Sequence, residues 1–141
     1  MAIPDSVRKV FEAGKLVHLV TLNRDGSPQI SCVWGGIDGD DIVVASFGEY
    51  QKIRNLRRDP RVSLSVETDA VNAAGLNEYL VVHGTARIEE GGAAPILQNL
   101  AYIYIGPDAG KFPPGDDEPP PGFVTRITPL RYSGVGPWTG A

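Results

Sequence analysis

Cysteine is almost absent from this chain. Cys32 is its single cysteine among 141 residues, so no internal disulfide can form, and without a second thiol or a histidine cluster nearby no zinc site can be assembled. Cys32 therefore reads as a small core residue. No apolar run approaches the roughly 20 residues that cross a bilayer, so no membrane partner is expected. The opening Met1-Ala2-Ile3-Pro4-Asp5 lacks the basic region and apolar stretch of a secretory signal, which points to a cytoplasmic protein. Positive charge is also short. Against 17 Asp and Glu stand 13 Lys and Arg, a net charge of -4, with no long basic face, so nucleic acid is not expected as a partner. Ser27 lies in a turn without the Gly-x-Ser-x-Gly elbow of a hydrolase nucleophile. His18 and His83 fall within strands and have no ligand or nucleophile at useful spacing, so both read as core or edge packing. No acid, base or nucleophile constellation is visible, and the catalytic residues are left unassigned.

What the chain does have is a core and many strands. Hydrophobic residues make up 42% of it, enough for one globular domain spanning 1–141. Pro4 and Asp5 open a short amphipathic helix with Val7, Val10 and Phe11 on one face, and Gly14 stops it. Leu16 to Leu22 reads as a strand, Asn23-Arg24-Asp25-Gly26 as a hairpin turn, and Pro28 to Trp34 as the returning strand. Gly35 to Asp40 reads as a second turn before a strand over Asp41 to Phe47. Arg61 to Glu67 alternates with period two, and Tyr79 to Ile88 is another long β segment. Ala93 to Tyr104 suits a helix. Gly106 to Gly122 holds six of the twelve prolines together with Asp116, Asp117 and Glu118, the composition of an extended surface loop. Phe123 to Thr128 reads as a closing strand, and the glycine-rich tail Tyr132 to Trp138 as irregular. Six or so sequential strands with few helices favour a closed antiparallel barrel over a βαβ fold.

One window concentrates charge. Lys52-Ile53-Arg54-Asn55-Leu56-Arg57-Arg58-Asp59-Pro60-Arg61 holds five of the thirteen basic residues. A strand ending at Ser46, a break at Gly48, and a short helix marked by Tyr50, Ile53 and Leu56 precede or accompany it. Early helical N–H groups and basic side chains can converge on one compact anion such as a phosphate. The same basic face can equally be a solvated helix surface. Asn55, Asp59 and Pro60 read as residues that end the helix and start the next strand, and Arg58 and Arg61 as solvent-facing. Trp34 and Trp138 are either core aromatics or walls for a ring-shaped ligand.

The segments Leu19-Val20-Thr21-Leu22, Asp25-Gly26-Ser27-Pro28-Gln29 and Ser31-Cys32-Val33-Trp34, followed by Lys52 to Val62, resemble the pyridoxamine-phosphate-oxidase-like split-barrel flavoproteins. Within that superfamily the chain is most similar to the actinobacterial deazaflavin-dependent reductases that bind coenzyme F420. The similarity covers residues 5 to 90, and the Lys-x-Arg-Asn-Leu-x-x-Asp-Pro-Arg-Val string is its most specific part.

The resemblance implies a mostly β fold, a six-stranded antiparallel split β-barrel with a few short helices. It also implies a homodimer with cofactor sites at the subunit interface. Gln29, Ser31 and Val33 match the strand that faces the cofactor ring. Ala45 and Ser46 match the segment leading to the phosphate, Gln51 and Lys52 the phosphate grip, with Arg54 and Arg57 adding charge. Tyr79 matches a position that reaches the partner subunit's cofactor. Tyr50 departs from the pattern, since a basic residue is often found there. The implied activity is that of an oxidoreductase in which F420 passes hydride to an electron-poor small molecule such as an enone, the cofactor rather than the protein doing the chemistry. Flavin mononucleotide (FMN) is the alternative cofactor, and a non-catalytic flavin or deazaflavin carrier the alternative role.

Overall fold

The structure, a computed structural model, describes residues 2–139. In chain order its elements are α1 (Asp5–Glu12), β1 (Val17–Leu22), β2 (Pro28–Val33), β3 (Gly36–Asp38), β4 (Asp41–Ser46), α2 (Gln51–Arg58), β5 (Arg61–Val71), β6 (Asn77–Glu90), α3 (Ala93–Tyr104) and β7 (Phe123–Val135). All strand pairings are antiparallel. They make a single sheet in the order β2-β1-β5-β6-β7-β4-β3.

The edges of that sheet explain its shape. β2 and β3 stand at opposite ends of the strand order, yet only Trp34 and Gly35 join them in the chain. So short a link brings the two edges close without pairing them. The result is a split barrel, open between β2 and β3, in place of the closed barrel expected from strand count alone. The corner is tight: a Cβ on Gly35 would stand 2.9 Å from Val17 Cγ2, so only glycine lets β3 start against β1. Tyr104 of α3 locks this corner. Its hydroxyl donates to the Gly35 carbonyl and accepts from the Gly35 N–H, each at 3.0 Å.

The barrel interior is filled by alternate residues of the long strands, as the two-residue period of a sheet requires. Val17 and Leu19 of β1, Val62, Leu64 and Val66 of β5, and Leu80 and Val82 of β6 meet Val7, Val10 and Phe11 of α1 in one core. A second, smaller core lies where Ala93, Leu97 and Leu100 of α3 meet Trp34, Phe47 and Phe112. Trp138 is buried in the main core with its indole N–H on the Ser133 carbonyl at 2.9 Å. Trp34 stacks on Tyr104, ring centroids 5.5 Å apart.

Three further expectations change. The turn expected over Gly35 to Asp40 contains the short strand β3, which raises the strand count from six to seven. The tail from Tyr132 to Val135 is not irregular, because it continues β7 beside β6. Its glycine enables that pairing: Gly134 has φ of +99°, and a Cβ there would stand 2.2 Å from the Tyr79 carbonyl oxygen. Cys32 is exposed, not in the core, because it lies opposite His18 on the outer face of the sheet. The proline-rich segment 106–122 has no helix or strand and is tied to α3. Gln98 donates to the Gly110 carbonyl at 2.7 Å and accepts from the Phe112 N–H at 2.8 Å.

Candidate functional site

The β1–β2 hairpin sets the first wall. The Asp25 carboxylate accepts from the hydroxyl of Ser27 at 2.5 Å and from its backbone N–H at 3.0 Å. These two bonds, the hydroxyl first, hold its pKa below the ordinary aspartate value. Beyond the turn, Gln29, Ser31 and Val33 stand opposite Thr21, Leu19 and Val17. Opposed residues share a face, so all three point to the inner side of the sheet. They remain half-buried because β2 is an edge strand at the split.

The second wall is the end of β4 and the start of α2. Ala45 and Ser46 are half-buried opposite Val124 and Phe123. The Ser46 hydroxyl donates to the Gly48 carbonyl at 2.9 Å, which bends the chain toward the helix. Tyr50 occupies the N-cap position in an extended conformation, and no side chain caps the helix. The Tyr50 carbonyl accepts from the N–H groups of Ile53 and Arg54. The N–H groups of Gln51 and Lys52 have no protein acceptor among the described residues. No acidic residue lies in the first turn, so the positive end of the helix dipole is uncompensated.

Lys52 stands at this end. It is half-buried, its Nζ lies 4.9 Å from the centre of the Tyr50 ring, and it makes no ion pair among the described residues. Burial pushes its pKa below the ordinary lysine value. A cation partly withdrawn from water and left without a carboxylate favours any anion that reaches it. Together with the two free helix N–H groups, this donor set fits a phosphate.

The other basic side chains of α2 are differently engaged. Arg54 is exposed and donates to the Glu49 carbonyl at 2.8 Å and to Gln51 Oε1 at 2.9 Å. Arg57 pairs with Glu49 at 2.8 Å and Glu90 at 3.3 Å. Arg58, though exposed, reaches the Leu22 carbonyl. Arg61 is gripped by Asp59 at 2.7 Å, and chiefly that side-chain hydrogen bond lowers the Asp59 pKa to about 2. Of the five basic residues in the window, Lys52, Arg54 and Arg58 therefore have no carboxylate partner among the described residues, and of these three only Lys52 is half-buried.

Tyr79 is not near these groups within one chain. It lies opposite Glu67, six residues along the ladder from Arg61, or roughly 20 Å at strand rise, and it points outward. On that outer face a groove of about 350 Å³ is lined by Val20, Leu22, Ser63, His83 and Leu130 among others. His83 Nδ1 is 2.8 Å from Ser63 Oγ. Ile30 lies beside Val20 in register. Ile30 and Leu130 are 65% and 68% exposed, so exposed apolar residues stand on either side of the polar Ser63–His83 pair.

Asn55 has a second role beyond ending the helix. Its backbone carbonyl does accept from the Asp59 N–H at 2.8 Å, as a helix end should. Its side chain is fully buried at 0% exposure and joins both walls. Asn55 Oδ1 accepts from Gln51 Nε2 at 2.8 Å, and Asn55 Nδ2 donates to Thr21 Oγ1 at 3.1 Å and Asn23 Oδ1 at 3.0 Å. Thr21 Oγ1 in turn donates to Gln29 Oε1 at 3.0 Å. The available signal was a polar residue between Ile53 and Leu56, the two apolar residues that α2 buries.

The family model of pyridoxamine 5'-phosphate oxidase matches residues 3–135. Among solved structures, an F420 reductase is 24% identical with a TM-score of 0.69, over 93% of this chain and 98% of that one. A pyridoxamine 5'-phosphate oxidase-like protein from Listeria innocua is 21% identical with a TM-score of 0.66, over 92% and 94%. A conserved hypothetical protein from Mycobacterium tuberculosis is 22% identical with a TM-score of 0.68, over 95% and 88%. These likenesses carry the fold. No helix among the described residues is long and apolar enough to cross a membrane.

Proposed function

The chain belongs to the pyridoxamine 5'-phosphate oxidase family, and from that premise we propose that it is an oxidoreductase binding coenzyme F420 at a homodimer interface, with an electron-poor small molecule such as an enone as hydride acceptor. Lys52 carries this reading. Among the described residues it is a half-buried cation without a carboxylate, beside helix N–H groups that have no protein acceptor, at the start of α2. The F420 reductase with the same fold supports the deazaflavin over other ring cofactors.

When bound, the cofactor supplies a hydride from its ring. The protein's part is to hold and orient it. Lys52, Gln51 and the first turn of α2 hold the phosphate, with Ala45 and Ser46 leading into that grip and Arg54 adding exposed charge. Gln29, Ser31 and Val33 line the ring, and Trp34 with Tyr104 closes the corner behind β2. Tyr79, on the outer face, serves the site of the partner subunit. The exposed Ile30 and Leu130 support pairing of two chains across that face.

FMN is the second reading, and one observation favours it. Arg57 is paired with Glu49 and Glu90, and Arg58 holds the Leu22 carbonyl, which leaves Arg54 to meet an anionic glutamyl tail, whereas a single phosphate needs only the Lys52 grip. Titration of the purified protein with F420 and with FMN across ionic strength separates the two. Exposed ion pairs are screened over roughly 8 to 10 Å at physiological salt. F420 is expected to bind more tightly at low salt and to lose more affinity as salt rises. Tighter binding of FMN at every ionic strength replaces F420 with FMN. Binding without turnover of any enone or quinone assigns a carrier role.

A further inference from the structure

The side chains between the two walls form a hydrogen-bond chain, exposed at Asp25 and Ser27 and buried at Thr21 and Asn55, in which each group's donor or acceptor role follows from its neighbour. It starts at Asp25, whose ionised carboxylate can only accept. The Ser27 hydroxyl must therefore donate to it. Its oxygen is then free to accept from Asn23 Nδ2 at 3.2 Å, so Asn23 presents Oδ1 to Asn55. Asn55 must answer with Nδ2, and that same amide nitrogen also donates to Thr21 Oγ1. The Thr21 proton has one remaining acceptor, Gln29 Oε1. Gln29 Nε2 is thereby turned away from the chain, and no partner takes it among the described residues.

We propose that Asn55 is a positioning residue which, through Thr21, fixes the Gln29 amide with its N–H groups toward the split, so that β2 offers a donor to an acceptor atom on the edge of a bound ring. Flavin and deazaflavin rings carry such acceptors as carbonyl oxygens. The proposal rests on the ring-binding reading above for its ligand, but the amide orientation stands on the protein alone. Through Gln51, whose Nε2 donates to Asn55 Oδ1, the same asparagine orients a residue of the phosphate grip. One buried side chain thus sets the polarity of both walls.

Two measurements test it. The first uses the free protein: solvent exchange of side-chain amide protons by NMR, with Gln29 assigned through loss of its signal in Gln29→Ala. The Asn55 amide protons are expected to be protected and those of Gln29 to exchange freely; protected Gln29 protons overturn the proposal whatever the protein binds. The second uses riboflavin, which has the ring and lacks the phosphate. Asn55→Asp and Thr21→Val each remove the donation to Gln29 and are expected to weaken riboflavin about fivefold to tenfold, the scale of one neutral hydrogen bond. Thr21→Ser, which keeps the hydroxyl, is expected to restore it. In a Gln29→Ala background the losses are expected to vanish. Losses of equal size in that background mean that Asn55 is only structural. Absence of riboflavin binding in the unmutated protein defeats the ring-binding reading and the ligand half of this proposal, and leaves the exchange result to decide the orientation.

Discussion

Lys52 concentrates the electrostatics of the site because it alone among the basic residues of α2 is half-buried and without a carboxylate among the described residues. Replacing it with alanine is expected to weaken a phosphate-bearing cofactor by about 1.5 to 3 kcal/mol, the scale of a hydrogen bond to a charged group. Fluorescence titration measures this, and unchanged affinity reduces the helix to a solvated basic face. The pH dependence has a definite sign. Burial lowers the Lys52 pKa in the folded protein, so the unfolded chain holds that proton more tightly, and the destabilisation from burying the charge lifts as pH rises through the depressed pKa. A bound phosphate favours the charged form. Affinity is therefore expected to fall as pH rises into the alkaline range, starting below the pKa of an exposed lysine, and Lys52→Ala is expected to flatten that limb. An identical alkaline limb in the variant assigns the titration to another group.

Two elements depend on contacts that bring distant parts of the chain together. Tyr104 fastens α3 to the corner between β2 and β3 through both polar groups of Gly35. Tyr104→Phe leaves those backbone groups unpaired in a partly buried place and is expected to cost about 1 to 3 kcal/mol in urea unfolding with an unchanged m-value. A loss below measurement shows that water takes over the role. On the other side of the barrel, Gly134 keeps β7 paired with β6. Gly134→Ala meets both the positive φ and the Tyr79 carbonyl, and a destabilisation of at least about 2 kcal/mol is expected. Full stability would show that β7 gives way there without cost. This is also why the tail was misread: glycine content argues against regular structure in general, whereas here it permits a close strand approach that only the register reveals.

At the scale of the whole molecule, the proposed function makes the outer face an interface between two copies. Ile30 and Leu130 are the two most exposed large hydrophobic residues of the sheet's outer face, and a chain of 15.1 kDa is expected to scatter light as twice that mass at micromolar concentration. Ile30→Asp with Leu130→Asp is expected to produce monomers and to abolish cofactor binding if Tyr79 completes the partner's site. A monomeric mass for the unmutated protein removes the interface from the proposed function. Monomeric variants that still bind cofactor place the whole site within one chain.

The local pattern alone determined most of the elements, though not β3 or the end of β7. Period-two alternation over Arg61 to Glu67 and the Asn23–Gly26 turn are written in adjacent residues, and so are the three helices and the basic window after β4. Local sequence also placed Gln29, Ser31 and Val33 on one face, since alternation requires no knowledge of neighbours. It could not close or open the barrel. That depended on whether β2 and β3, joined through Trp34 and Gly35, would pair, and pairing is a property of two edges in space. The start of the helix singled out Lys52, but nothing local showed that Arg57 would be taken up by acids. Only the fold puts Glu49 and Glu90 beside one of them and leaves the other half-buried without an acid. Asn55 shows the same limit most clearly. Along the chain it is a polar residue near a helix end, and its place between Gln51 and Thr21 exists only because α2 packs across β1, where a buried amide must find partners for every polar atom.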